Sequence, residues 1–209
     1  MNVTKYDEMA RGVHAPMYDY YAEQIKEKTG ITKGVCMDAG CGGGYLGLAL
    51  ARITDLKFIF LDISSEMLDK ATRHIIEDGL EYRAKTLHAD VHGIPLENGS
   101  IDLVISRGSI PFWKFPGKAL KEIYRVLAPE GKAYVGGGRG TPEMLERMEA
   151  EIKKMGKTIP NEWKTRGPHH PGSRQRMRPR NYNAILKRTG IKNYLATIGE
   201  DGRWIQMWK

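Results

Sequence analysis

The 209-residue sequence predicts an α/β fold, a doubly wound and mostly parallel sheet with helices on both faces. Three observations carry that reading. Short apolar, β-rich runs alternate with segments of helical spacing, and strand–helix units of this length build parallel sheets. A glycine cluster, Asp38-Ala39-Gly40-Cys41-Gly42-Gly43-Gly44, stands directly between the first such run and the helix that follows it. The length suits one domain with additions, since a domain takes roughly 100–200 residues.

The elements follow in order. Residues 1–30 precede the first strand and read mostly as helix (YDYYAEQIKEK). Val35–Ala39 is a short apolar strand ending in glycines, and Tyr45–Ile53 (YLGLALARI) has helical spacing. Lys57–Leu61 is a strand that meets Asp62. Ser65–Asp78 is a helix that Ser64 or Ser65 can cap, with acidic Glu66 in its first turn. Glu81–His88 reads as a strand, as does Ile101–Ser106 after the turn Glu97-Asn98-Gly99. Pro116–Leu127 is an amphipathic helix with Ala119, Leu120, Ile123, Val126 and Leu127 on one face. Pro129-Glu130-Gly131 reads as a turn before the strand Lys132–Val135. Thr141-Pro142-Glu143 starts a helix reaching about Met155, with proline at its first position. Residues 157–180, rich in Pro, Gly, His and Arg, read as a long loop, which in a compact domain is usually functional or disordered. Asn181–Arg188 reads as helix. Tyr194–Ile198 and Trp204–Trp208 form a hairpin around Gly199–Arg203.

Charge is unevenly spread. The formal net charge is +8, yet nine of the 33 Lys and Arg fall between Trp163 and Lys192, where there is no Asp or Glu. The remaining 24 basic residues face 25 acidic ones, so most of the chain is near neutral. At 41% hydrophobic the chain can bury a core. No apolar run approaches the ~18–20 residues of a membrane helix, and the N-terminal residues hold no apolar signal core, so a cytoplasmic location without membrane partners is expected. Two cysteines, Cys36 and Cys41, are too few for a disulfide framework and poorly spaced for zinc.

The glycine cluster carries the chemistry. Glycines between a strand and a helix let the backbone turn sharply and let a ligand approach main-chain atoms. It is not a phosphate-binding P-loop, because no Lys-Ser/Thr follows. As a dinucleotide fingerprint it fits only in the register Gly42, Gly44, Gly47.

The segment VCMDAGCGGGYLGLALA resembles motif I, [D/E]-x-G-x-G-x-G, of the class I S-adenosylmethionine-dependent methyltransferases. Four more segments resemble that family in order: Leu61-Asp62; His88-Ala89-Asp90-Val91 with Ile94-Pro95-Leu96; Ser100–Val104; and Ala119–Gly131. Together they cover about residues 31–137. The resemblance implies a seven-stranded sheet with a reversed last strand and S-adenosylmethionine as cofactor, leaving S-adenosylhomocysteine. It implies that Asp62 binds the ribose hydroxyls, that Asp90 with Val91 binds adenine, and that Asp38 and Gly40 hold the amino-acid end. Cys41, Gly42, Gly44, Ile63, Met67 and Ser106 would complete the cofactor contacts. It also implies that residues 1–30 form a helical lid on a domain of residues 31–209, which carries the basic loop as an insertion at about 157–180. These roles suit the chemistry, since a carboxylate can accept both hydrogen bonds of a vicinal diol.

Methyl transfer from a sulfonium needs in-line placement of the acceptor at about 3 Å, and a base only if the acceptor is protonated. The sequence lacks an Asn/Asp-Pro-Pro-Tyr motif, a Pro-Cys nucleophile and an obvious carboxylate triad for magnesium. His88 and His92 flank Asp90, but two histidines and an aspartate on a strand end make a weak metal site, and no metal is expected. Arg107, at the end of the fourth core strand, could hold an acidic acceptor through a bidentate pair; a structural carboxylate or the cofactor carboxylate are the other partners open to it. His14, Tyr18 and Tyr21 are candidate bases or orienters, and Phe112 and Trp113 candidate pocket walls. Arg174, Arg176, Arg178 and Arg180 alternate, so an extended chain would point them one way, toward phosphate or carboxylate. The expectation is methyl transfer to a small anionic acceptor by a monomer or homodimer. RNA methylation is the nearest alternative, although only Trp163 and Tyr182 flank the basic run to stack on bases. A non-catalytic S-adenosylmethionine-binding protein is another. An aminopropyltransferase fits less well, for want of a paired-acid polyamine site.

Overall fold

The computed structural model describes residues 3–156 and 181–209, with side chains from Asp7 onward. The seven-stranded sheet has the order β3-β2-β1-β4-β5-β7-β6. Its strands are β1 (Val35–Ala39), β2 (Lys57–Asp62), β3 (Ala84–His88), β4 (Ile101–Arg107), β5 (Leu127–Gly137), β6 (Tyr194–Gly199) and β7 (Gly202–Trp208). The first five are parallel; β7 runs antiparallel to β5 and to β6. Among the described residues the helices are α1 (Val3–Arg11), α2 (Ala15–Thr29), α3 (Tyr45–Ala51), α4 (Ser65–Glu77), α5 (Pro116–Val126), α6 (Pro142–Lys154) and α7 (Tyr182–Lys187).

Both faces of the sheet are covered, which is why the middle strands read as continuous apolar runs and not as an alternation. Phe58, Phe60, Leu103 and Ile105 face a core shared with Tyr21 and Ile25 of α2 and with Leu46 and Leu50 of α3. Ile59, Leu61 and Val104 point the other way, onto Leu120 and Ile123 of α5 and Leu186 of α7. The chain winds outward from β1 to β3 and then crosses to β4 on the other side of β1. That reversal opens a crevice at the C-terminal ends of β1 and β4, where open α/β sheets bind ligands.

The caps follow the sequence. Ser64 accepts from the Met67 amide and Thr141 from the Met144 amide, and Asn181 caps α7 through Ala184. Two elements differ from expectation. Glu81-Tyr82-Arg83 is a turn, so β3 begins only at Ala84. There the Arg83 guanidinium bonds the carbonyls of Ala51, Thr54 and Leu56, and its residue serves as a strut under β2. Pro129-Glu130-Gly131 lies inside β5 as an irregularity. Ile101 pairs with Leu127 but Leu103 with Lys132, and Glu130 adopts φ 64. Strand pairing on both sides of the kink absorbs what sequence reads as a turn. Among the described residues, no helix is long and apolar enough to cross a membrane.

Candidate cofactor and acceptor site

The turn after β1 is built by φ > 0 at Gly40 (73°) and Gly42 (55°). The two glycines serve different ends. A Cβ at Gly40 would lie 2.7 Å from the Ser109 Cβ, so this position is closed by packing. A Cβ at Gly42 would meet only the Met67 sulfur, at 4.0 Å, so its main chain borders open space. The Gly40 and Cys41 amides both donate to the Leu61 carbonyl, at 2.7 and 3.0 Å, and pin the loop to the end of β2. Cys41 is buried, and burial with the Asp38 and Asp62 charges pushes its thiol up, so it fills space as a neutral side chain.

Asp38 is 2% exposed and accepts the Gly47 amide at 3.1 Å, tying β1 to the first turn of α3. Burial pushes its carboxyl up to about 7; the Gly47 hydrogen bond opposes this and the Asp62 charge adds to it. Asp62 stands at the end of β2. One oxygen accepts the Gly42 amide at 2.8 Å and the other the Ser64 amide at 2.9 Å. A carboxylate has about four lone-pair sites, so two remain for a ligand. Ile63 beside it is 67% exposed, and Met67 is buried below.

The third element of the crevice is the segment after β3. The Asp90 carboxylate accepts both the His92 amide (2.9 Å) and His92 Nδ1 (2.5 Å). His92 Nε2 accepts the Phe115 amide at 3.1 Å, which assigns the ring proton to Nδ1. The hydrogen bonds from the His92 amide and ring, with the Lys118 charge, hold Asp90 below the usual carboxylate range. Val91 is buried beside it. The segment is anchored from α5, where Glu122 accepts the Ile94 amide and Arg125 donates to the carbonyls of Ile94 and Leu96. His92 is thus an orienting residue that the sequence presented only as a neighbour of Asp90. Its role depends on the Phe115 amide, 23 residues away.

The end of β4 closes the crevice. Ser106 is fully buried and donates to the Ala39 carbonyl, and its hydroxyl bonds that of Ser109. Trp113 is buried in the core against Gly40, whereas Phe112 is 81% exposed. Arg107 turns toward α2. Its Nη2 donates to the Gly138 carbonyl at 2.7 Å and lies 2.8 Å from the Met17 sulfur. The guanidinium sits 5.1 Å from the Tyr18 ring and 5.2 Å from that of Tyr21. Its Nε is buried without a hydrogen-bond partner, and no ion pair reaches it among the described residues. His14 is buried as well; burial, then the Arg107 charge, lower its pKa to about 4, which keeps the ring neutral. Tyr21 donates its hydroxyl proton to the Asp201 carbonyl and accepts the Gly140 amide at 2.8 Å. Burial pushes that hydroxyl up to about 12. Its hydroxyl therefore braces α2 against the β6–β7 turn. Arg174, Arg176 and Arg178 lie outside the described residues.

The crevice fits a ligand with a diol, an amine-bearing ring and a charged amino-acid end. Asp62 and Asp90 offer partly exposed acceptors, and the main chain at Gly42, bonded to Asp62, borders open space.

Residues 37–135 match the family model described as a methyltransferase domain. A solved structure from Methanococcus maripaludis, assigned as an S-adenosyl-L-methionine-dependent methyltransferase, is 35% identical with TM-score 0.86. The match covers 99% of this chain and 91% of that one. A malonyl-[acyl-carrier protein] O-methyltransferase from a Methylovorus species is 40% identical over 99 residues, 46% of this chain. A ubiquinone/menaquinone biosynthesis C-methyltransferase from Rickettsia prowazekii is 31% identical over 131 residues, 60% of this chain. The chain spans only 33% and 51% of the length of these last two proteins. With the methyltransferase-domain match, the 35%-identical solved structure and the sheet order in agreement, the chain belongs to the class I S-adenosylmethionine-dependent methyltransferases.

Proposed function

We propose that the protein transfers the methyl group of S-adenosylmethionine to a small anionic acceptor held at Arg107. The observation that carries the acceptor class is the guanidinium itself, a cation at the C-terminal end of β4, walled by Tyr18 and Tyr21 and lacking a carboxylate among the described residues. Such a cation is costly to shelter unless something pairs with it. Relatives named for malonyl-carrier and quinone substrates support a small-molecule acceptor.

In this reading the cofactor, when bound, supplies an electrophilic methyl on a sulfonium. Asp62 holds the diol through its two remaining lone-pair sites. Asp90, oriented by His92, accepts from the exocyclic amine. The Gly42 main chain lets the ligand approach, and the glycine loop after Asp38 receives the amino-acid end. Arg107 orients the acceptor, and Met17, Tyr18 and Tyr21 keep water from its charge. An anionic oxygen needs no base, and neutral His14 adds no second positive charge beside Arg107. Tyr21, with its hydroxyl bonded on both sides, acts by position.

The test is a labelled-methyl assay on extracts of the source cell, divided into small-molecule and RNA fractions. Label in an anionic small-molecule fraction supports the proposal, label in RNA replaces it with the nucleic-acid reading, and cofactor binding without labelling of either points to a non-catalytic role.

A further inference from the structure

Five groups from four parts of the chain converge outside the crevice. His74 of α4 is buried, and its Nδ1 lies 2.8 Å from the carbonyl of Gly43 in the glycine loop. Its Nε2 faces Asp7 of α1, 3.3 Å from Oδ1. The same Asp7 oxygen accepts the Tyr45 hydroxyl at 2.7 Å, and the other oxygen lies 3.4 Å from Lys70 Nζ. Both ring nitrogens of His74 therefore point at acceptors. A neutral imidazole can donate to one of them and the doubly protonated ring to both.

Burial would raise the Asp7 carboxyl, but the Tyr45 hydrogen bond and the His74 and Lys70 charges outweigh it and hold Asp7 below the carboxylate range. Among the described residues, α1 also docks through Ala10, which is buried in the core, and through a surface ion pair, Arg11 to Glu77 at 2.7 Å. Beneath the α1–α2 corner lies a cavity of about 180 Å³ lined by Ala10, Ala15, Tyr18, Tyr45, Leu48 and His74, among others. Helix α1 thus rests on an incompletely filled seam. Among the described residues, polar contacts help to fix its position, and one chain of them ends on the glycine loop.

We propose that His74 is a positioning residue that couples docking of α1 to the conformation of the glycine loop, so that the N-terminal helix sets cofactor affinity without touching the cofactor. The coupling rests on the reading of the loop as the cofactor site. With Asp7 in place, the ring is held by one nitrogen and presents the other to the Gly43 carbonyl, which fixes that peptide next to Gly42. Without Asp7, the ring can turn, and the peptide loses its partner.

The experiment compares full-length wild type with Asp7→Asn, His74→Gln and the double variant. S-adenosylhomocysteine affinity is read by calorimetry, and amide hydrogen exchange is read on cofactor-free protein. Each single variant is expected to weaken affinity about tenfold, the scale of one hydrogen bond to a charged group. The double variant should be no weaker than the worse single one. Exchange should quicken at residues 40–44 in Asp7→Asn, although that substitution lies on α1. Asp7→Asn leaves the buried ring untouched, so it remains informative if His74→Gln unfolds. Affinity within twofold of wild type in Asp7→Asn, or single effects that add in the double variant, would overturn the coupling alone. A wild type that does not bind the ligand would overturn the site and the coupling together.

Discussion

The Gly42 amide donates to Asp62 Oδ2 at 2.8 Å, which joins the turn after β1 to the end of β2 through a side chain. Loop and carboxylate are therefore one unit. The carboxylate is oriented before any ligand arrives, because the Ser64 amide holds its second oxygen. Pre-orientation of this kind lowers the cost of binding.

Asp62→Ala is expected to weaken cofactor binding by about 1.5–3 kcal/mol, the scale of charged hydrogen bonds. Titration calorimetry with S-adenosylhomocysteine measures it, and unchanged affinity would remove Asp62 from the site.

Gly40→Ala and Gly42→Ala should separate packing from binding. Both place a side chain at φ > 0, a shared cost of about 1–2 kcal/mol. Gly40→Ala also drives a methyl into Ser109 and should lower the melting temperature more. Gly42→Ala meets open space in the free protein, so its larger effect should be on ligand affinity. Equal melting temperatures for the two variants would contradict the packing difference.

Asp38 predicts a pH dependence of stability. Its carboxyl is raised from 3.8 to about 7 in the folded protein. A raised pKa means that the folded state keeps the proton after the unfolded state has lost it. The contribution is therefore fully present below 3.8, falls as pH rises toward about 7, and is constant beyond. Denaturant melts of wild type and Asp38→Asn across that range should show wild type losing ground to the variant as pH rises. Parallel curves would mean that the buried carboxyl does not titrate differently on folding.

Arg107→Met should raise the acceptor KM or lower kcat while cofactor affinity changes little, once an acceptor is in hand. Arg107→Lys should not restore activity, because an ammonium lacks the planar fork that pairs with a carboxylate. Equal loss of cofactor and acceptor binding would assign Arg107 to the cofactor.

Much of the fold was legible because local rules and tertiary demands agree. Strand–glycine–helix at residues 35–51, the Ser64 and Thr141 caps and the Gly199–Gly202 hairpin turn need only nearby residues. Residues 81–83 and 129–131 depart from their local patterns, the first forming a turn where the pattern is strand and the second lying in a strand where the pattern is turn. In the first case Arg83 is recruited to carbonyls some thirty residues away, and in the second pairing with β4 and β7 carries the strand past the kink. The same division runs through the site. Asp38, Asp62 and Asp90 are visible as acidic residues at strand ends. The histidines are not, because His92 gains its role from Phe115 and His74 from Asp7 and Gly43.

By itself, then, the sequence determined the sheet, the glycine turn and the acidic residues beside it, since periodicity, capping and φ > 0 are short-range properties. Only the tertiary structure decided that Tyr21 is a brace, that Trp113 is core, and that Arg107 sits among aromatic rings. Those facts depend on which side chains from distant segments meet, and no spacing along the chain records that.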